Sequence, residues 1–492
     1  MNKAKRILAL LLALSLAAGM CACSPEESQE STQPVPLEKP ESVGLGQADQ
    51  QQTAAPVQHT SAGQASAAEF ALALPALPEM APYPNEEAFF KPNGEFDSDG
   101  FQVVYEAWEK TRRAQRDQAG VYAGKLNAYL TATAAEFLKS EEPGENAVCS
   151  PLNIWMALAM AAETAGGKTR ADLLQLLGMG SIEETREVAA SLWNANYCDD
   201  GACTSKMAAS LWLNREVAYK QDTLEALAEH YYASGFQGDV TDPAYSAAFK
   251  DWLNENTGGL LQDAVASLPD FDPQMVLTLA TAVYFRAAWA NEFSAQNTYP
   301  EVFSGSAGEQ EADFMHRSGT NSYYWSEHFG AVNLRFEDAG SMWFLLPDEG
   351  VSPVELLESG EAMDFLLSDY DARQENSKFL IVDMAVPKFD VESGMDLKAR
   401  LKDLGLSDLF TGKADFTSLT DMDGVYISDA RHEARVKIDE EGCEAAAFTV
   451  MMYAGSAMPP DERVEFKLDR PFLFALMSTD GLPLFLGVVN RL

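Results

Sequence analysis

Apolar residues recur with two different spacings once the chain passes residue 118. Over 122–138, Leu126, Tyr129, Leu130, Thr133, Ala134 and Phe137 gather on one face of an α-helix. The stretch 154–162 is apolar and helical after Ser150-Pro151, and 170–177 is an amphipathic helix closed by Gly178. A further helix covers 244–256 and ends at Thr257-Gly258-Gly259. Residues 274–285 are nearly all apolar, with too many β-branched and aromatic side chains for a surface helix. They predict a strand buried on both faces. Residues 341–346 and 379–386 are similar. Residues 472–477 and 483–489 predict two strands joined by the turn Ser478-Thr479-Asp480-Gly481. Helices and strands are mixed without βαβ regularity or internal repeat, so the predicted class is α+β.

The chain before residue 118 has a different texture. Lys3, Lys5 and Arg6 precede an apolar run over 7–18, too short to span a bilayer, as in an export signal. Met20-Cys21-Ala22-Cys23-Ser24 follows and resembles a bacterial lipobox, in which Cys23, after the small Ala22, fits best as the lipidated residue. The expected parts are a signal peptide over 1–22 and a lipid-anchored disordered stalk over 23–80, rich in Ser, Gln, Pro, Glu and Ala. An N-terminal extension over 81–117 follows, then a globular domain over 118–492. Phe89, Phe90, Phe101, Val103, Val104, Tyr105 and Trp108 give the extension apolar surface to dock on that domain. The expected location is the cell surface or the extracellular space.

Charge removes several functions. Among 492 residues, 35 basic stand against 75 acidic, a formal net charge of −40. Such a surface repels phosphate backbones and anionic lipid, so no nucleic-acid partner is expected, and membrane contact is expected through the lipid anchor only. The five histidines are His59, His230, His316, His328 and His432. His432-Glu433 begins like a zinc-protease motif, but Val436 stands where the second ligand belongs. Gly305-Ser306-Ala307-Gly308 comes near a nucleophile elbow out of register, and there is no P-loop or dinucleotide fingerprint. No metal, cofactor or catalytic residue is expected. Cys149 lies in an apolar run and reads as a small buried hydrophobe. Cys198 and Cys203 flank a turn-forming stretch and are either a small-loop disulfide or two free thiols.

Six short motifs then fall in order over 122–492. Asn146-Ala147-Val148-Cys149-Ser150-Pro151-Leu152-Asn153-Ile154 is followed by Ala165-Gly166-Gly167-Lys168-Thr169-Arg170. Next come Ala282-Val283-Tyr284-Phe285-Arg286-Ala287-Ala288-Trp289 and Pro387-Lys388-Phe389. Leu468-Asp469-Arg470-Pro471-Phe472 and Phe485-Leu486-Gly487 close the series. Together they resemble the serpins, a family of serine protease inhibitors. The resemblance implies a central mixed β-sheet with two further sheets, about eight to nine helices and an exposed reactive loop.

The segment Asp439-Glu440-Glu441-Gly442-Cys443-Glu444-Ala445-Ala446-Ala447 resembles the hinge before a serpin's reactive loop. A strand that inserts into a closed sheet needs a backbone without Pro and small inward side chains. Side chains alternate, so if Cys443 points inward, Ala445, Ala447, Thr449 and Met451 do too, and all but the last are small. The resemblance therefore implies a hinge of Glu440, Gly442, Cys443, Glu444, Ala445, Ala446, Ala447 and Thr449, and a reactive bond at Ser456-Ala457. It also implies a gate under the sheet at Ser150, Asn153, Thr281 and His432. Cys443 replaces a usual Thr or Ser, Asn153 a common Ser, and Thr281 a common Asn. The implied partner is a target serine protease held covalently by a monomeric, non-enzymatic protein. Small Ser456 suits an elastase-like pocket. Two other functions stay open: a non-inhibitory serpin-like surface binding protein, and a lipid-anchored hydrolase or ligand-binding protein.

Overall fold

The computed structural model describes residues 66–443 and 461–492, apart from Glu79, Glu141, Pro143 and Asp429. All of these belong to the compact unit Ser61–Leu492. Cys23, Glu444, Ala445, Ala446, Ala447, Thr449, Ser456 and Ala457 lie outside the described residues.

The elements that frame the site start early. Strand β1 (Ala71–Ala73) falls within the stretch read as stalk. It pairs antiparallel with the strand Ala233–Gly238, and Phe70 beside it packs 4.9 Å from the buried Tyr245 ring. The fold thus reaches back before residue 80. Helix α1 (Ser98–Arg116) carries the extension's apolar stripe, with Phe101, Trp108 and Arg112 buried. Helix α2 (Pro151–Thr164) begins where Ser150 caps it and Pro151 takes the first turn, a position that needs no backbone donor. Nearly all of α2 is buried, so it runs through the core. Helix α3 (Ile182–Asn196) starts on the Ser181 cap and leads into strand β2 (Cys203–Asn214).

Strand β3 (Ala233–Gly238) is followed by helix α4 (Pro243–Asn256), capped by Asp242, and then by strand β4 (Leu277–Ala288). Strands β5 (Phe389–Met395), β6 (His432–Ile438) and the two-residue β7 (Gly442–Cys443) complete the first sheet. Among the described residues it has eight strands in the order β1-β3-β2-β4-β7-β6-β5, with Cys198–Asp199 paired to β2. Under α4, Trp212, Phe236, Tyr245, Ala280 and Ala282 form a small core on one face. The main core lies against the other. Strand β4 begins and ends three residues later than 274–285, and many of its residues are half-buried rather than buried on both faces.

A second, nine-stranded sheet carries the C-terminal hairpin Phe472–Met477 and Pro483–Val489. The two further sheets expected from the resemblance run together here, because the 18-residue strand Gly308–Trp325 pairs with neighbours along its whole length. Twelve α-helices are present among the described residues. The number exceeds expectation because α1 precedes the domain and Pro353–Glu358, Glu361–Leu367 and Tyr370–Glu375 are single short turns of helix.

Candidate functional site

The site is the top of the first sheet, where β7 sits between β4 and β6. Gly442 is opposite Ala288, Cys443 opposite Ala287, and Cys443 also opposite Ile438. Both pairings are antiparallel. Gly442 is there because nothing larger fits: a Cβ on it would stand 2.3 Å from the Ala287 carbonyl oxygen. Cys443 is 4% exposed and shares the inward face with Ala287 and Ile438. It is not part of a disulfide.

The turn before β7 is held from several sides. The Asp439 carboxylate accepts from the backbone N–H of Glu441 at 3.0 Å and of Gly442 at 3.3 Å. Trp289 donates its backbone N–H to the Glu441 carbonyl and its ring N–H to the Asp439 carbonyl, both at 2.9 Å. Phe293 donates to the Glu440 carbonyl at 2.9 Å. Lys388 Nζ lies 2.8 Å from Glu440 Oε2. Burial pushes the Glu440 carboxyl up, but its hydrogen bonds, that from Lys388 first, outweigh this and leave it below the usual carboxylate range. Lys388 is raised, chiefly by the same bond.

Below Cys443 the two flanking strands part. No ladder joins β4 directly to β6 among the described residues; they meet only through β7. A narrow cavity there is walled by Val283 and Phe285 of β4 and Val436 of β6, roofed by Cys443 and floored by Leu476 and Phe485. On β6 the inward residues are His432, Ala434, Val436 and Ile438, all buried.

The expected gate residues divide into two groups. His432 Nε2 accepts from the Ser150 backbone N–H at 3.0 Å, and the Ser150 hydroxyl accepts from the Asn153 N–H at 3.4 Å. The start of α2 is thus tied to the start of β6. Burial lowers the His432 pKa to about 4, so the ring is neutral, with Nε2 as acceptor. Thr281 instead pairs with Ala209 on the other side of β4. Among the described residues no hydrogen bond joins it, or the Asn153 side chain, to His432. The reason is the same parting of β4 from β6.

Cys198 and Cys203 are both buried and not bridged to each other; the Cys198 thiol donates to the Cys203 carbonyl at 3.5 Å. The hydrogen bond with the Cys203 thiol and burial push Cys198 above the ordinary thiol range. Sequence reasoning did not assign Trp289, Phe293 and Lys388 to the hinge. Trp289 and Lys388 stood in two of the quoted motifs, but only the fold shows that both reach 439–441. Among the described residues no group of His, Cys, Asp and Glu is arranged to hold a metal ion.

Comparisons with known proteins bear on this geometry. The family described as Serpin (serine protease inhibitor) matches residues 125–492. The plasma serine protease inhibitor of Mus musculus is 27% identical over 409 residues, covering 80% of this chain and 97% of that protein. Antithrombin-III of Homo sapiens is 30% identical over 366 residues, covering 71% of this chain and 77% of that protein. The crystal structure of a thermophilic serpin, tengpin, in its native state is similar with a TM-score of 0.65 at 27% identity, over 75% of this chain and 94% of that one.

Proposed function

Because the chain belongs to the serpin family, many of whose members are protease inhibitors, we propose that it is a suicide-type inhibitor of serine proteases acting by loop insertion. The observation that carries this reading is β7, wedged between β4 and β6 and antiparallel to both. A chain continuing beyond Cys443 in the same register would meet Phe285 and Val436 at Ala445, Val283 and Ala434 at Ala447, and Thr281 and His432 at Thr449. Each inward residue is small, and each would close the parting between two strands whose facing edges share no ladder.

The chemistry runs through the target. Its serine Oγ attacks the Ser456 carbonyl carbon, the Ser456–Ala457 amide breaks, and the new Ala457 amine leaves with the proton that the protease's histidine took from the serine. The ester joins protease to inhibitor. The freed hinge then extends the sheet. About 15 residues at about 3.3 Å each would carry the ester roughly 50 Å, the length over which the protease is dragged and its oxyanion hole distorted before water can act. A small residue at Ser456 favours an elastase-like target. The protein acts as a monomer held at the cell surface through Cys23.

The test mixes the protein from Ser24 onward with an elastase-type serine protease and follows it by denaturing gel and mass spectrometry. A detergent-stable adduct with a released peptide starting at Ala457 is the expected result. Cleavage within 451–458 that leaves free protease and no adduct would replace inhibition by the non-inhibitory binding reading.

A further inference from the structure

The proposed inhibition makes no use of Cys198 and Cys203, yet the fold sets them side by side. The strand Cys198–Asp199 runs antiparallel to the start of β2, with Cys198 opposite Ser205 and Asp199 opposite Thr204. The turn between the strands is tight. Asp200 donates its backbone N–H to the Cys203 carbonyl at 3.3 Å, and its carboxylate accepts from the N–H groups of Ala202 at 3.1 Å and Cys203 at 3.0 Å. Gly201 makes the bend at φ +96°, where a side chain would be strained. Alternation puts Cys198, Cys203 and Ser205 on one face, and all three are buried. Helix α1 packs on this hairpin: Trp108 donates its ring N–H to Asp200 Oδ2 at 3.2 Å, and Arg112 donates to the Tyr197 carbonyl at 3.2 Å.

The two thiol groups meet. The Cys198 thiol donates to the Cys203 carbonyl at 3.5 Å, and its hydrogen bond with the Cys203 thiol is the first cause of its raised pKa. No other described cysteine competes for either. Cys443 lies in register with Cys203, but Ala287 of β4 stands between them, opposite both. Two strand spacings of about 4.8 Å keep those Cα atoms about 10 Å apart, past the limit of about 7 Å for a disulfide. Cys149 belongs to the second sheet, opposite Leu486. Joining Cys198 to Cys203 closes a ring of six residues. The Cys203 carbonyl would lose its thiol donor and keep the Asp200 N–H, so the bond strands no buried acceptor.

We propose that Cys198 and Cys203 are a redox pair: a medium rich in a low-molecular-weight disulfide closes them into a bond that locks the turn opening β2, and a reducing medium leaves two thiols. The thiolate of one cysteine attacks a sulfur of the small disulfide and displaces one thiol. The thiolate of the other then attacks the mixed disulfide and displaces the second. The protein gives up two electrons and two thiol protons, and the small disulfide takes both to become two thiols. Because the sulfurs are buried, exchange follows opening of the hairpin, whose exposed tip is Gly201 and Ala202. The bond stabilises by restricting the unfolded chain.

The test holds the folded chain from Ser24 in a series of reduced-to-oxidised glutathione ratios until its composition stops changing. It is then unfolded in urea with N-ethylmaleimide and digested with trypsin. Cleavage after Arg186 and Lys206 gives peptide 187–206, which holds Cys198 and Cys203 and no other cysteine. The expected peptide is doubly alkylated at the reducing end of the series, and unalkylated and two hydrogens lighter at the oxidising end. The oxidised protein should melt roughly 2–4 °C above the reduced one. Cys198→Ser and Cys198→Ala should each abolish that difference, and the peptide decides on the parent chain alone should neither variant fold. A peptide doubly alkylated at every ratio, or one that retains glutathione on either cysteine, overturns the pair. A bridge that leaves the melting temperature where it was overturns the lock.

Discussion

Two residues bear loads that substitution can read out. Gly442 has the Ala287 carbonyl oxygen where a Cβ would go, at 2.3 Å. Gly442→Val therefore pushes β7 off β4, at a cost of about 1–3 kcal/mol for the forced overlap. Insertion then starts from an unseated hinge, and the expected outcome is more inhibitor cleaved per adduct formed, read as a higher stoichiometry of inhibition on a gel. Backbone amide exchange should quicken at Ala287 and Ala288. His432 is the second. Its folded pKa is about 4, against about 6.5 for an exposed histidine, so the unfolded chain binds the extra proton across that window. The stability from its neutral, buried state is whole above pH 6.5 and is lost as pH falls toward 4. The loss integrates to about 3 kcal/mol. A urea melt series from pH 7 to pH 4 should show this slope, and His432→Gln should flatten it. A slope unchanged in the variant would assign the acid sensitivity to carboxylates instead.

At the scale of elements, the hinge is a turn whose three carbonyls, at 439, 440 and 441, are each taken by Trp289 or Phe293. Trp289→Phe keeps a ring stacked on Phe336, now 4.6 Å away, and removes the ring N–H bond to Asp439. The loss should be about 1 kcal/mol of native stability. The turn stays in place when the chain beyond Cys443 inserts in the same register, so native and loop-cleaved melting temperatures should fall together. Much of this arrangement was legible in the chain. The 3.6 spacing of Leu126, Leu130 and Phe137, the Ser150-Pro151 start and the Gly178 stop are local signals, and the corresponding helices appear within a few residues. Cys443 is buried, which meets the condition on which alternation assigned the inward residues of the hinge. What was not legible is whatever depends on contacts between residues far apart in the chain. Lys388 meets Glu440, His432 meets Ser150, and Trp108 meets Asp200, and no local spacing encodes those pairs. The strand inside the stretch expected as stalk escapes local reading for a related reason. Ala71–Ala73 is too short to show a period, and it is a strand only because β3 offers it an edge.

For the whole molecule, the insertion mechanism needs a driving free energy, and the edges of β4 and β6 below β7 are where a strand could supply it. Among the described residues, strands β4 and β6 are joined through β7, and both run on past it. A segment entering below Cys443 would ladder to both sides. On the proposed mechanism, residues 444–449 entering in the register of β7 would make roughly ten new hydrogen bonds at about 1 kcal/mol each. The inward Ala445, Ala447 and Thr449 would add apolar burial against Phe285, Val283, Val436 and Ala434. The total is on the order of 10 kcal/mol, and at about 1–2 °C per kcal/mol for a domain of this size it should lift the melting temperature by roughly 10–20 °C. That gain should appear when the loop is cut within 451–458 by any protease, including one that forms no adduct. Ala447→Arg supplies the control, because a guanidinium at that position would enter the core between Val283 and Ala434 without a partner. The variant should fold, be cut at the same bond and gain almost nothing on cleavage. It should also turn the protease over as a substrate does. Equal gains in parent and variant would mean that the cut loop does not enter between β4 and β6, and the trapping mechanism would then lack its driving force.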